Sequence, residues 1–317
     1  MKKALIPAAL LLSLAGAAHA ELALYGLIDL SYGKNGYVGD QKADFHSGGD
    51  DGSSQGNSTS RFGLKGSTDI GSGLKANFRL ESNGITSDGD IGSPFFGRQA
   101  WAGVSGGFGE VRLGRQDSVA FQTMIGFDAN GAANAASAFV AAGVAPYNPG
   151  RQSRSLQYIS PDFSGLKVQA GFKPAGDEDG TTNGKDVLSL GVTYTLGGLT
   201  VAATGESART DGTEGFGALA ASYDFGVAKV MVSGTNGGDV NKGGIGNGFG
   251  VGVSAPIAGF TVGVNYGKNT TTETKAAELF INREVLKNTI VYLDLGRAKY
   301  ADDTSRTAYA LGVIYTF

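Results

Sequence analysis

The chain has 317 residues, with 26 basic and 29 acidic side chains, 53 glycines, 7 prolines and no cysteine. The weakly acidic balance gives no reason to expect a nucleic-acid partner, and the lack of cysteine excludes disulfide bonds. Glycine is abundant but has no three-residue period, which excludes a collagen-like chain.

The first 20 residues have the pattern of a secretory signal peptide. Two lysines precede a short apolar run, and small residues end the segment at Ala20. The apolar run is shorter than the roughly 20 residues that a membrane helix needs, which disfavours that alternative. We therefore expect cleavage before Glu21 and export of a mature chain of residues 21–317.

From Leu22 onwards, apolar and polar residues alternate as they do in β-strands. In the first segment Leu22, Leu24 and Ile28 share one phase, while Tyr25 and Asp29 share the other. Segments of about ten residues repeat this pattern to the C-terminus, a length that suits a tilted strand crossing a membrane. No later segment has about 18 consecutive strongly apolar residues, so no membrane-spanning helix is predicted.

The connections between these segments are alternately long and short, and the segments between them number sixteen. The long connections lie near residues 33–60, 83–94, 117–150, 174–185, 208–213, 236–247, 268–274 and 299–304. The short turns lie near residues 71–73, 106–107, 162–165, 196–198, 224–226, 255–259 and 283–287.

Long connections at one rim, short turns at the other and an even number of strands are typical of an outer-membrane β-barrel. Closure of the barrel pairs the backbone hydrogen-bonding groups, as the hydrocarbon region requires. A soluble periplasmic sandwich would also show alternation, but it explains neither the two classes of connection nor the apolar face from Tyr309 to Phe317. The predicted fold is all-β, a transmembrane antiparallel β-barrel of sixteen strands.

Several short motifs resemble, when taken together, those of one family. They are Leu24-Tyr25-Gly26-Leu27-Ile28-Asp29, Ser60-Arg61-Phe62-Gly63-Leu64-Lys65-Gly66, Gly97-Arg98-Gln99-Ala100-Trp101, Ser155-Leu156-Gln157-Tyr158 and the terminal Phe317. This set resembles the general porins of Gram-negative outer membranes, of the β-proteobacterial and neisserial type. The resemblance implies a sixteen-stranded trimer whose third external loop folds into each pore.

Residues 117–150 form the longest interval in which the alternation stops. An irregular segment of this length in a compact protein is usually functional or disordered. It is rich in alanine and carries only two charges, Asp117 and Asp128. Its aromatic side chains, which need buried surroundings, are those of Phe121, Phe127, Phe139 and Tyr147. We expect this segment to fold into the lumen and to constrict the pore.

If the apolar phase faces lipid, basic residues crowd the lumen side between the second and seventh strands. They are Arg61, Lys65, Lys75, Arg79, Arg98, Arg112, Arg151, Lys167 and Lys173. The inward acids, Asp29, Glu81 and Glu110, are fewer, although some of the bases could simply pair with them.

The resemblance places Arg61, Arg98 and Arg151 in the constriction, opposite the inserted segment. In the family the third of these arginines precedes an Asn-Ser pair, and Arg154 stands here in place of that asparagine. The candidate constriction and selectivity residues are these three arginines with Lys65, Arg79, Asp117 and Asp128.

The sequence offers little for catalysis or for binding a cofactor. His46 is the one histidine of the mature chain and has no identifiable partner, which disfavours an outer-membrane hydrolase. Residues 50–52 and 177–180 lack the terminal glutamate of a calcium loop, and residues 243–248 lack the context of a phosphate loop. No catalytic residue, cofactor or metal site is predicted, and the modest length of the other loops disfavours a surface adhesin.

The sequence therefore predicts an outer-membrane porin, a water-filled channel for the passive diffusion of small hydrophilic solutes and ions, with a preference for anions. The expected partners are two further copies of the chain in a homotrimer, outer-membrane lipid, lipopolysaccharide, and small anions and solutes. The alternative is a substrate-specific channel. It would need an aromatic track along the lumen, whereas most aromatic residues fall on the lipid phase, with Tyr25 as an exception.

Overall fold

The structure is a computed structural model that describes residues 21–39, 41–176, 184–238 and 246–317. The predicted signal peptide, the acidic segment at residues 177–180 and residues 243–245 of the glycine-rich segment lie outside the described residues. No helix of the described ranges is long and apolar enough to cross a membrane.

Seventeen β-strands of the described residues form one antiparallel sheet. Their bounds are β1 Glu21–Asn35, β2 Asp44–Ser47, β3 Arg61–Gly71, β4 Leu74–Glu81, β5 Gln99–Gly106, β6 Gly109–Asp117, β7 Arg151–Ile159, β8 Leu166–Lys173, β9 Val187–Leu196, β10 Leu199–Glu206, β11 Phe216–Asp224, β12 Lys229–Asn236, β13 Asn247–Ile257, β14 Phe260–Asn269, β15 Lys275–Leu286, β16 Thr289–Lys299 and β17 Ser305–Thr316.

The sheet closes on itself through β1. One edge of β1 pairs with β17, with Leu27 opposite Thr316, and the other edge pairs with β3, with Glu21 opposite Ser67. The backbone N–H groups and carbonyls of Gly26 and Phe317 exchange hydrogen bonds of 2.9 and 3.0 Å, which ties the last residue to the first strand. Apart from β2, each strand from β3 to β17 pairs with its neighbour in sequence, so the predicted barrel of sixteen strands is confirmed.

The first long connection is more ordered than the sequence predicted. Strand β1 continues to Asn35, opposite Ala308 of β17, and β2 then adds to the other edge of β1. A 3₁₀ turn at Gly36–Val38 and a short kinked helix, α1 at Asp50–Ser53, complete the segment. The polar composition of this connection wrongly predicted that the strand ends near residue 33. A barrel strand keeps its backbone pairing beyond the apolar layer, where its side chains become polar.

The barrel wall separates two faces with period two. In β15 the buried side chains of Ala276, Glu278 and Phe280 alternate with the exposed side chains of Lys275, Ala277 and Leu279. Large apolar side chains remain exposed around the barrel, among them Leu188 at 62% and Leu219 at 68%. Such a band is unusual on a soluble monomer and suits contact with lipid.

Two short helices order the segment at residues 117–150. Helix α2 spans Val119–Met124 and helix α3 spans Ala138–Ala142. Each begins at a serine, Ser118 or Ser137, whose hydroxyl accepts a backbone N–H of the first turn. Helix α3 ends at Gly143, whose φ of +69° is the left-handed conformation that glycine adopts without strain.

This segment packs against the inner wall of the barrel. Phe139 and Val144 are fully buried, and they lie over glycines of β13 and β14. A Cβ atom at Gly250 would come within 2.7 Å of the Phe139 ring, and one at Gly267 within 2.9 Å of Val144. The absence of side chains at these glycines leaves room for the loop, and burying such side chains contributes roughly 1.5–3 kcal/mol each.

Candidate functional site in the barrel lumen

Three arginines converge on one buried carboxylate near the rim that carries the long connections. Glu81, the last residue of β4, is 1% exposed. It accepts hydrogen bonds of 2.7 Å from Nε of Arg98 and from a terminal nitrogen of Arg79. Nε of Arg61, the first residue of β3, lies 3.6 Å from the same carboxylate. The predicted residues Arg61, Arg79 and Arg98 are therefore brought together.

Tyr25 of β1 contacts this cluster at the height of Glu81, since both residues are cross-strand neighbours of Gly63. Its hydroxyl donates to Glu81 at 2.7 Å and accepts from Nε of Arg79 at 2.6 Å. The Lys65 ammonium lies 5.3 Å, and the Arg79 guanidinium 5.0 Å, from the centre of its ring. These are cation–π distances. The inward aromatic residue that the sequence analysis singled out thus positions two of the candidate cations.

Arg151, the first residue of β7, lies in the same region of the lumen. Its Nε lies 3.4 Å from a carboxylate oxygen of Asp117, which ends β6. The strand pairing shifts register between Gly114 and Gln116, and Arg154 adopts a φ of +51°. The chain is therefore irregular at the position where Arg154 replaces the asparagine of the family.

The irregular strand pair also positions a cation that the sequence analysis missed. Arg115 donates hydrogen bonds of 2.5 Å to the Gly97 carbonyl and to the Ser153 hydroxyl. It is near enough to Arg151 to interact with it electrostatically. Strict alternation would place Arg115 on the outer face of β6, so a rule of period two could not have selected it.

The candidate cluster has a positive excess. Without Arg115, which binds the Gly97 carbonyl and the Ser153 hydroxyl, five side chains of the cluster are cationic and two are carboxylates, so five minus two leaves a net charge of +3. The cations are Arg61, Lys65, Arg79, Arg98 and Arg151, and the carboxylates are Glu81 and Asp117. Glu81 partly compensates the arginines but does not cancel them.

Open space adjoins this cluster, and a separate cavity lies among the long connections. A cavity of about 460 Å³ extends toward the short turns and is lined in part by Lys65, Arg79 and Glu110. A second cavity, of about 560 Å³, lies toward the long connections and is lined in part by Pro149 and Glu206. Only the first of these cavities is lined by residues of the cluster, Lys65 and Arg79.

Asp128 is not brought to the arginines. It accepts hydrogen bonds from the Tyr147 hydroxyl at 2.8 Å and from the side-chain amide of Asn265 in β14 at 2.9 Å. Burial raises the pKa of Asp128 and also raises the pKa of the Tyr147 phenol. Asp128 thus holds the loop against β14, on the side of the lumen opposite the arginines. Sequence alternation cannot reveal this contact, because the loop has no period.

On this opposite side of the lumen, buried acidic side chains of the barrel wall accept hydrogen bonds from amides of the connecting segments. The side chain of Asn130 donates to Glu278 of β15 at 2.7 Å and to Asp294 of β16 at 2.9 Å. The side chain of Asn57 donates to Asp294 at 2.8 Å, and the backbone N–H of Asn57 donates to Asp29 at 2.9 Å. Glu278 and Asp294 were not among the predicted site residues, although the inward phase of their strands was available as a signal.

The remaining inward bases with described partners pair locally. Arg112 lies 2.5 Å from Glu110 and over the Trp101 ring, and Lys167 lies 3.6 Å from Asp162. These pairs lie apart from the arginine cluster. Within the described ranges, no three His, Cys, Asp or Glu side chains are grouped so that they could hold a metal ion.

Comparisons with known proteins agree with this architecture. The model of the Gram-negative porin family matches residues 7–317. Outer membrane porin protein 32 of Delftia acidovorans is 31% identical over 99% of this chain and 94% of its own length. An outer membrane porin protein of Bordetella pertussis is 32% identical over 74% of this chain and 69% of its own. The solved anion-selective porin from Comamonas acidovorans superposes with a TM-score of 0.75 at 25% identity, covering 94% of this chain and all of that one.

Proposed function

The chain belongs to the Gram-negative porin family and is an outer-membrane porin, and we propose that its channel prefers anions because of Arg61, Arg98 and Arg151. The relatives point to a channel for passive diffusion rather than to an enzyme. The finer assignments concern the ion preference, the constriction, the assembly and the removal of residues 1–20.

The observation that carries the ion preference is the net charge of +3 in the cluster around Glu81. Arginine stays protonated at any physiological pH, so the guanidinium groups give the passage a fixed positive potential. Clusters of arginine and lysine are a usual means by which a pore favours anions. The superposed porin from Comamonas acidovorans is itself described as anion-selective, which supports the same assignment here.

The test is the zero-current potential of the channel in a planar bilayer under a gradient of KCl. The expected sign is that of chloride passing more readily than potassium, and the magnitude shrinks as salt is raised because the screening length falls to about 3 Å at 1 M. A channel that passes potassium in preference to chloride would overturn the proposal.

Residues 117–150 constrict the pore in this proposal. The support is that Phe139 and Val144 are buried on the inner wall while Asp117 remains beside Arg151. Deleting residues 129–144 should raise the single-channel conductance. The deletion also removes Asn130 from Glu278 and Asp294, so we expect a lower melting temperature together with the larger pore. An unchanged conductance in a folded deletion variant would contradict the constriction.

The functional unit is a homotrimer in outer-membrane lipid and lipopolysaccharide. The support is the exposed apolar outer face of the neighbouring strands β1 and β17, including Leu24, Leu30, Leu311 and Tyr315. Closed symmetric assemblies are the usual way to bury such a face. Unheated protein should migrate as a trimer on a denaturing gel and heated protein as a monomer, whereas a monomer mass in detergent would exclude the trimer. Sequencing of the mature N-terminus tests the removal of residues 1–20, and it should begin at Glu21.

A further inference from the structure

Arg115 lies between the two segments of the chain that carry Arg98 and Arg151. Its guanidinium donates through Nε to the carbonyl of Gly97 and through a terminal nitrogen to the hydroxyl of Ser153, each at 2.5 Å. Gly97 directly precedes Arg98, and Ser153 is the second residue after Arg151. The side chain of Arg115 thus connects the two segments.

The peptide unit between Gly97 and Arg98 is held at both of its polar groups. Arg115 donates to its carbonyl, and its N–H donates to the backbone carbonyl of Glu81 at 3.4 Å. The Arg98 side chain then places its Nε 2.7 Å from the Glu81 carboxylate. The direction in which the Arg98 side chain leaves the backbone therefore depends on the hydrogen bond from Arg115.

The end of β7 that carries Arg151 is paired on one side only. In the part of the chain that the structure describes, β8 pairs with residues 156–159 of β7 and not with residues 151–155. On the other side, the pairing of β7 with β6 continues to Arg151 but shifts register next to Arg115. Irregular pairing of this kind commonly redirects a side chain beside a functional site. Here it brings Arg115 to Ser153, which ties the end of β7 to β6 where the regular pairing is interrupted.

Electrostatic repulsion acts against this arrangement. Arg98 and Arg115 are both close enough to Arg151 for their like charges to repel it. The acceptors of Arg115 are a carbonyl and a hydroxyl, which do not compensate its charge. Without the tie, repulsion would move the end of β7 away from Arg98. Because the attraction of an anion falls with its distance from each charge, a wider separation would weaken the binding of an anion between them.

We propose that Arg115 is a positioning residue of the constriction, which sets the separation of Arg98 and Arg151 and thereby the strength of the anion preference. A planar guanidinium suits this task because it presents donors at fixed angles to two acceptors at once. An ammonium group in its place would supply the same charge as a single point, without this fork. The inference rests on the proposed function, because it concerns how the anion preference of the same site is maintained.

The experiment measures the zero-current potential under a gradient of KCl for full-length variants that separate position from charge. Ser153→Ala removes one acceptor and changes no charge, and Ser153→Thr restores the hydroxyl. Arg115→Lys keeps the positive charge but loses the forked pair of donors. The matched control is Ser67→Ala, which removes a hydroxyl that donates to Asn77 at 2.8 Å, on the face of β3 that carries Lys65.

The expected result is a fall of at least twofold in the ratio of chloride to potassium permeability in both Ser153→Ala and Arg115→Lys. Ser153→Thr and the control should keep the ratio of the wild type. The double variant of Arg115→Lys with Ser153→Ala should lose no more selectivity than Arg115→Lys alone, because both substitutions break the same contact. If Arg115 acted through its charge alone, Arg115→Lys and Ser153→Ala would both keep the wild-type ratio, and that result would overturn the proposal. An equal fall in the control would overturn it as well.

Melting curves and the potential of the wild type separate this inference from its alternatives. A lower melting temperature of Ser153→Ala with an unchanged permeability ratio would assign Arg115 a structural role only and would reject the inference. A wild-type channel without anion preference would reject the proposed function, and the inference with it. A wild type that prefers chloride, with both variants keeping its ratio, would reject the inference alone.

Discussion

Replacing Arg61, Arg98 and Arg151 together by serine should remove most of the anion preference. An anion about 5 Å from one guanidinium gains about 0.8 kcal/mol in water. The loss of three such charges weakens anion binding in the passage by about 2.5 kcal/mol before screening. At about 0.1 M salt, a screening length of about 10 Å reduces this to about 1.5 kcal/mol. That energy corresponds to roughly a tenfold change in anion occupancy.

The charge balance of the site predicts the same direction of change in the ion preference. The net charge of +3 falls to zero, because Lys65 and Arg79 then stand against Glu81 and Asp117. A perfectly anion-selective pore would give about 59 mV under a tenfold gradient, so the measured potential can be placed on an absolute scale. We expect the zero-current potential of the triple variant to fall to less than half of the wild-type value.

Two controls accompany the triple variant. Arg283→Ser removes an exposed arginine from the outer wall of β15, where its guanidinium lies 5.0 Å from the centre of the Phe260 ring, and it should leave the potential unchanged. The gel assay for the heat-sensitive trimer shows whether each variant is assembled. If the folded triple variant keeps the wild-type potential, these arginines serve only as structural partners of Glu81 and Asp117, and the reasoning from net charge fails.

Three further predictions follow from the packing around the cluster and the loop. Glu81→Gln should increase the anion preference, because the net charge of the cluster rises from +3 to +4. The melting temperature should fall, since breaking a buried ion pair costs about 3–5 kcal/mol. An unchanged zero-current potential would show that the Glu81 charge does not influence ions in the pore. Gly250→Val should push Phe139 from the wall, alter the conductance and cost about 1–3 kcal/mol of stability, with Gly234→Val, where no atom lies within 4 Å of the added Cβ, as the control in both measurements. Asp128 should make the loop more stable in acid: its folded pKa is raised, so this contribution is fully present below the ordinary value of 3.8 and is lost as pH rises through the folded pKa. Melting curves against pH should therefore show a smaller gain on acidification for Asp128→Asn, and an equal gain would assign the effect to neighbouring carboxylates such as Glu278.

Much of the barrel could be predicted from the sequence because its signals are local. Period-two alternation identifies the face of each strand, and the contrast between turns such as residues 71–73 and loops such as residues 117–150 identifies the two rims. These signals led to sixteen strands and to the inward direction of Tyr25, Arg61 and Arg79, which the structure confirms.

The residue contacts that could not be predicted from the sequence depend on the height of each residue along the barrel axis or on irregular backbone. Alternation shows that Glu81 points inward, but only the stagger between strands brings it level with Arg61 and Arg98. Because the pairing of β6 shifts register next to Arg115, the direction of this side chain cannot be predicted from a period of two. Asp128 lies in a segment without a period, so its contact with β14 follows from the tertiary fold alone.

The proposed positive passage depends on the arrangement of charge rather than on its total, because the formal net charge of the chain is −3. The inward acids of β1, β15 and β16 receive hydrogen bonds from neutral amides, chiefly those of Asn57 in the first long connection and Asn130 in the segment at residues 117–150. Because neutral donors satisfy these carboxylates, no arginine is needed to pair with them. The loop therefore does two things with one set of contacts. It occupies the acidic side of the lumen, and it leaves the arginines of the opposite side facing the remaining passage.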